Sequence, residues 1–216
     1  MKKILLSLGA AFLLAAGAQA QVSYGIKAGL NLGKISFSED LSDEYKDAEK
    51  MNPSFYVTGF ADIPVAPSFS IQPGISLQGK GSKFKVSEGG DSGSQSTNVM
   101  SIEIPVNAVY SIPAGPGSVF LGAGPYVGYA VSGKYKWEAN IGGEKESDDA
   151  KIDFSGDDKD MNAFDAGINF LAGYKLANGF LINAGYGLGL SNLTPKNDAD
   201  VKSSHRVLSF GIGFQF

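Results

Sequence analysis

The sequence predicts an all-β protein, an eight-stranded antiparallel up-and-down transmembrane β-barrel. Three observations predict it. Eight stretches alternate apolar side chains with small or polar ones, the period-two repeat of a strand whose faces meet different surroundings. Short turns and long polar loops join them alternately, as in a barrel with one elaborated end. Every charge within them, Lys27, Asp62, Lys80, Glu103, Lys134, Asp165 and Lys175, falls on the polar face. No amphipathic helix or spare apolar segment exists to cover the other face. Closing the sheet with that face toward hydrocarbon satisfies the backbone and removes the edges.

Met1 to Ala20 reads as a secretory signal peptide: Lys2 and Lys3, an apolar core from Ile4 to Ala16, and small residues at Ala18 and Ala20. Cleavage before Gln21 leaves 21–216 as one barrel domain and takes the formal charge from −4 to −6. That modest acidic balance argues against nucleic acid as a partner. The absence of cysteine excludes disulfides and thiolate-held metals. No later apolar run is long enough for a membrane helix.

The first strand, Val22 to Leu32, sets Tyr24, Ile26, Ala28 and Leu30 against Gly25, Lys27, Gly29 and Asn31. A charged loop, Ser38 to Asn52, leads to the second, Phe55 to Val65, with Asp62 opposite its apolar face. After the turn Ala66-Pro67-Ser68, the third sets Phe69, Ile71, Ile75 and Leu77 against Gln72, Ser76, Gln78 and Lys80. Gly81 to Asn98 reads as a Gly/Ser-rich polar loop. The fourth strand sets Met100, Ile102, Ile104, Val106, Ala108, Tyr110 and Ile112 against Ser101, Glu103, Asn107 and Ser111. The fifth sets Val119, Leu121, Ala123, Val127, Tyr129 and Val131 against Gly122, Gly124, Gly128, Ser132 and Lys134. Lys136 to Met161 reads as the longest, most acidic loop. The sixth strand, Phe164 to Leu176, meets the seventh, Phe180 to Leu190, through the hairpin signal Asn178-Gly179. A polar loop from Ser191 to Ser204 precedes the last strand, where Leu208, Phe210, Ile212, Phe214 and Phe216 alternate with Ser209, Gly211, Gly213 and Gln215. Both termini are expected at the short-turn end.

An eight-stranded lumen is just wide enough for side chains to fill, so the 29 glycines have a use inside. Gly25, Gly29, Gly122, Gly124, Gly128, Gly185, Gly187 and Gly189 are expected to make room for inward neighbours, and the inward charges to pair as a polar plug. Tyr24, Phe69, Tyr110, Tyr174, Phe180 and Phe216 are expected as interface aromatics at the turn end, with Phe55, Tyr135, Trp137 and Phe164 at the loop end. Pro73, Pro105 and Pro125 interrupt strand runs and are expected to need bulges or bends.

The closing segment resembles the C-terminal assembly signal of bacterial outer-membrane barrels, with Ser209, Gly211, Phe214 and Phe216 at its places. YGIKAGLNL (24–32), IEIPVNAVY (102–110), GAGPYVGYAV (122–131) and FDAGINFLAGYKL (164–176) are similar to the porin-family, PorT-like outer-membrane β-barrel domain. The resemblance implies a small barrel of OmpA/OmpX type in the outer membrane. It implies membrane lipid and the barrel-assembly machinery as partners, and no catalytic residues.

Candidate sites are few. His205, the only histidine, could act as a base with Asp198 or Asp200 in a surface enzyme, or be a polar rim residue. The loop Asp148 to Asp160 has carboxylates for Ca²⁺ but lacks EF-hand spacing, so a solvated acidic loop is the default. No cofactor site, metal site or catalytic group is expected. The resulting reading is a monomeric barrel anchoring surface loops for an unknown surface ligand or protein. A narrow pore and a His205 enzyme are the alternatives.

Overall fold

The structure is a computed structural model that describes residues 21–37, 48–195 and 202–216. The expected signal peptide, and Asp198 and Asp200, lie outside the described residues. Among the described residues ten strands form: β1 Ser23–Phe37, β2 Glu49–Lys50, β3 Asn52–Ala66, β4 Phe69–Glu88, β5 Asp91–Ala114, β6 Gly117–Ile141, β7 Glu144–Lys151, β8 Phe164–Leu176, β9 Phe180–Gly189 and β10 Ser203–Gln215. Eight of them pair in a ring, β1-β3-β4-β5-β6-β8-β9-β10, with β1 and β10 closing it from Gly25↔Gln215 to Phe37↔Ser203. All pairs are antiparallel. The short turns and both ends of the described barrel share one rim, where Tyr24 and Phe216 exchange backbone hydrogen bonds.

The barrel is apolar outside. Among the described residues, thirty-five large hydrophobic side chains are exposed against fourteen hydrophobic ones buried, a ratio that only a hydrocarbon surround supports. On β5 the outward band runs from Ile102 to Ile112, roughly 25 Å along the axis of a tilted strand. No helix among the described residues is long and apolar enough to cross a membrane; the strands do the crossing.

Two segments expected as loops are strands. β4 and β5 stay paired to Glu88↔Asp91, turning at Gly89-Gly90, and β6 and β7 stay paired to Ile141↔Glu144, turning at Gly142-Gly143. All four glycines have positive φ, the requirement of a two-residue type I′ hairpin. The upper parts of β4, β5 and β6, with β7, thus make a four-stranded blade standing beyond the ring.

The bulges are not at the expected prolines. Pairing passes Pro73, Pro105 and Pro125 with its register unshifted, although ladder pairs are missing beside them. The register shifts instead between Pro64 and Ala66 of β3, and opposite Met100/Ser101 of β5, where β6 carries the extra residue Val131. Before Val131 the even-numbered residues of β6 face the lumen; after it the odd-numbered ones do.

Candidate functional site

From turn end to loop end the lumen is filled in layers. Phe60, Val109, Phe120 and Leu181, with Leu171, make an apolar layer low in the barrel. Beside it Asp62 accepts hydrogen bonds from Gln72 Nε2 at 3.1 Å and Gln215 Nε2 at 2.8 Å, and Lys175 Nζ donates to Gln215 Oε1 at 3.0 Å. Lys27 lies over the Phe60 ring at 4.5 Å.

The middle layer is ionic, and Asp165 is its hub. Its Oδ2 accepts from Lys80 Nζ at 2.8 Å and from the Tyr126 hydroxyl at 3.3 Å, and lies 3.2 Å from His205 Nδ1. Its Oδ1 accepts from the Ser191 hydroxyl at 2.8 Å. Lys80 also pairs with Glu103 and sits over the Tyr126 ring at 4.4 Å. Among the described residues, three inward lysines, Lys27, Lys80 and Lys175, balance three inward acids, Asp62, Glu103 and Asp165. The described part of the lumen thus carries no excess formal charge. Room for this cluster comes from glycine. A Cβ on Gly167 would fall 2.7 Å from Tyr126 Cε1, and one on Gly128 2.9 Å from Glu103 Cγ. A void of about 80 Å³ lies against Lys27, Tyr56, Lys80 and Glu103, a volume of two or three waters at ~30 Å³ each.

Above the ions lies an apolar lid. Ile35, Val99, Ala130, Ile152, Met161, Ala163 and Leu193 are buried together, with Phe37, Tyr135 and Phe154 against them. The segments after β7 and β9 dip into the mouth to supply it: Ile152 N bonds the Gly133 carbonyl, and Asn162 N the Leu193 carbonyl.

Several expected placements change. Lys134 is not interior: the extra residue Val131 turns it outward, exposed, with Nζ 2.8 Å from Asp149 Oδ2. Ser132 is exposed for the same reason. Tyr135 turns in to the lid, and Trp137 stands on the blade, rings 6.0 Å apart, so neither is in an interface girdle. His205 is no rim residue; it is 2% exposed, beneath the lid, with Asp165 as its partner. Asp148 and Asp149 fall on opposite faces of β7, which disperses the acidic loop's carboxylates. Tyr24, Phe69, Tyr110, Phe180 and Phe216 are exposed at the turn end, where the Tyr174 hydroxyl bonds the Ala114 carbonyl at 2.7 Å. Phe55 and Phe164 are exposed at the loop end. Ser209 and Gly211 face the lumen, and Phe214 and Phe216 face outward. The sequence reading missed Tyr126, Ser191, Leu193 and Met161. For Tyr126 the period-two signal was present, since it shares parity with Gly124 and Gly128.

The blade separates its charges by face. Lys83, Lys85, Lys134, Lys136, Lys145 and Lys151 share the outward face with Glu138 and Asp149. Phe84, Val86, Trp137 and Ala139, with Glu144, Glu146 and Asp148, share the inner one, which lines a groove of about 750 Å³. Lys136 and Lys134, hydrogen-bonded to Glu138 and Asp149 respectively, hold those carboxyls below their ordinary range.

A closed eight-stranded ring, apolar outside and charged within, defines a transmembrane β-barrel of the outer-membrane class. The chain belongs to the outer membrane protein β-barrel domain family, whose profile matches residues 17–194. It resides in the outer membrane, in contact with lipid. No curated protein matches it. Among solved structures it is similar to Ail, the attachment invasion locus protein of Yersinia pestis, crystallised with the heparin analogue sucrose octasulfate. The identity is 14%, with 90% of this chain and 99% of that one covered, at a TM-score of 0.38. Neisserial surface protein A is 14% identical over 90% of this chain and 97% of that one, at a TM-score of 0.45. The N-terminal β-barrel domain of Pseudomonas aeruginosa OprF is 13% identical over 92% and 100%, at a TM-score of 0.40.

Proposed function

We propose that this barrel is a closed, non-conducting anchor that displays its blade at the cell surface and performs no chemistry of its own. One observation carries the reading: the Lys80–Glu103–Asp165–His205 layer fills the lumen and the Ile152–Met161–Leu193 lid seals it from above. A pore needs a continuous aqueous path, and the void against Lys80 and Glu103 holds only a few waters. A hydrolase needs substrate at His205, which the same lid covers. Export directed by residues 1–20, insertion by the barrel-assembly machinery through Ser209, Gly211, Phe214 and Phe216, and a monomeric state belong to the same reading.

Planar-bilayer recording of the refolded chain 21–216 tests it. No stable current is expected at voltages that open control porins. Long-lived open levels in most insertions would overturn it.

A further inference from the structure

The outward face changes character abruptly at the top of the apolar band. Along β6 it reads Val127, Tyr129, Val131, then Lys134 and Lys136; along β4, Ile75 and Leu77, then Lys83 and Lys85; along β10, Phe210 and Leu208, then Arg206. Lys134 stands about 8 Å beyond Val131, and Lys83 about 15 Å beyond Leu77, at ~3.3 Å per residue and a 35–45° tilt. The headgroup layer reaches about 5–8 Å past the hydrocarbon. Lys134 therefore meets it directly, and Lys83 and Lys136 can bend their stems down to it.

These cations are also set against one another. Lys134 is the direct cross-strand partner of Lys151, and Lys34 of Arg206. Like charges directly opposite destabilise a sheet. Two such pairs lie in one collar on the lipid-facing side, where Lys34, Lys83, Lys134, Lys136, Lys151 and Arg206 outnumber the three carboxylates that reach them. Glu49 pairs with Lys34 at 3.0 Å, Glu138 with Lys136 and Lys83, and Asp149 with Lys134, which leaves a cationic excess; the other β7 acids point to the inner face.

We infer that the collar formed by Lys34, Lys83, Lys134, Lys136, Lys151 and Arg206 binds the phosphate groups of the phosphorylated glycolipid in the outer leaflet. Charge complementarity and continuity with the lipid-covered band identify the occupant. The blade then stands on the membrane surface by its lysine face and keeps its Phe84–Trp137 groove turned away. This goes beyond the anchoring reading, because a conducting barrel could carry the same collar.

The test uses the refolded chain 21–216 in uncharged detergent micelles, titrated with diphosphorylated lipid A and with its dephosphorylated form. The wild type is expected to hold the phosphorylated form about tenfold or more tightly, an advantage that shrinks as salt is raised. The quadruple variant Lys83→Gln, Lys134→Gln, Lys136→Gln, Lys151→Gln is expected to lose that advantage while Glu144→Gln/Glu146→Gln keeps it. In micelles without glycolipid, Lys151→Gln alone is expected to leave the unfolding midpoint unchanged or higher, because it relieves repulsion. Equal affinity for both forms overturns the inference. So does an unaffected quadruple variant that retains the folded gel mobility, or equally effective competition by inorganic pyrophosphate.

Discussion

Lys80 Nζ lies 2.8 Å from Asp165 Oδ2 across the lumen, joining β4 to β8, strands that share no backbone pairing. Both side chains are about 4% exposed, so the pair cannot fall back on solvent. The ring is held by its ladders at the wall and by this ion cluster at the centre.

Breaking that cluster should therefore cost more than losing a surface pair. Asp165→Asn leaves Lys80 with Glu103 alone and takes the carboxylate from Tyr126, Ser191 and His205. The expected loss is about 3 kcal/mol, read from urea unfolding in lipid vesicles. Neutralising all three members, Lys80→Met with Glu103→Gln and Asp165→Asn, is expected to recover part of it, because no charge is then left buried alone. A midpoint for Asp165→Asn equal to wild type removes the cluster from the account of stability.

Glycine gives a sharper comparison. Gly167→Ala sets a methyl group against the Tyr126 ring and the Leu188 carbonyl, neither of which can move freely. It should destabilise by about 1–3 kcal/mol. Gly59→Ala meets nothing within 4 Å, on the outward face of β3. It should be neutral or slightly stabilising, since alanine loses less backbone freedom. Similar thermal midpoints for the two variants would show that Gly167 makes no room for the plug.

The ring was legible because its signal is repeated. Ile102, Ile104 and Val106 against Ser101, Glu103 and Asn107 state one face and its opposite in six residues, and the other strands say the same. The blade was not legible by composition. SKFKVSEGGDSGSQSTN is rich in Gly, Ser and charge, the marks of a loop, yet its lysines alternate with Phe84 and Val86. The two Gly-Gly pairs, each set between alternating runs, were the available hairpin signal.

The bulge left no such mark. Val131 looks like any other residue of its strand, and continuing the period through it puts Lys134 inside. The site was hidden for a further reason. His205 lies at a strand end, where a side chain is normally wet. Only the chain returning over it at Met161 and Leu193 makes it buried.

The outer-face pairs of the blade set a pH response. Lys134 and Lys136 depress the Asp149 and Glu138 carboxyls below the usual 3.9 and 4.3 of the unfolded chain. A depressed carboxyl contributes stability that is complete above its unfolded pKa and is lost as pH falls through the folded one. The contribution is therefore flat from pH 8 to about 5 and fades below about 4. It is small, because both pairs are exposed. Trp137, the only tryptophan, stands between Lys136 and Glu138 in sequence and reports on the blade alone. Its emission should hold constant down to about pH 4 and change only below. A transition centred near pH 6 is incompatible with these two pairs as its origin.

The lid, the ion cluster and the apolar layer beneath it block the lumen in series, and that arrangement predicts how a channel could be made. Leu193 is 2% exposed and packs with Ile35, Val99, Met161 and Ala163. Leu193→Ala should cost about 2–3 kcal/mol, the lower part of the range for a leucine truncated in a packed core. It should open no current, since the ion cluster beneath still fills the bore. Truncating the cluster alone, with Glu103→Gly and Asp165→Gly, should likewise leave the bilayer silent under an intact lid. Only when these changes are combined with Phe60→Gly and Phe120→Gly, which open the apolar layer below, is the bore expected to pass ions, in planar-bilayer recordings at matched protein insertion. Conductance from Leu193→Ala alone would mean that the ion layer and the apolar layer beneath it both leak. The lid would then be the sole seal.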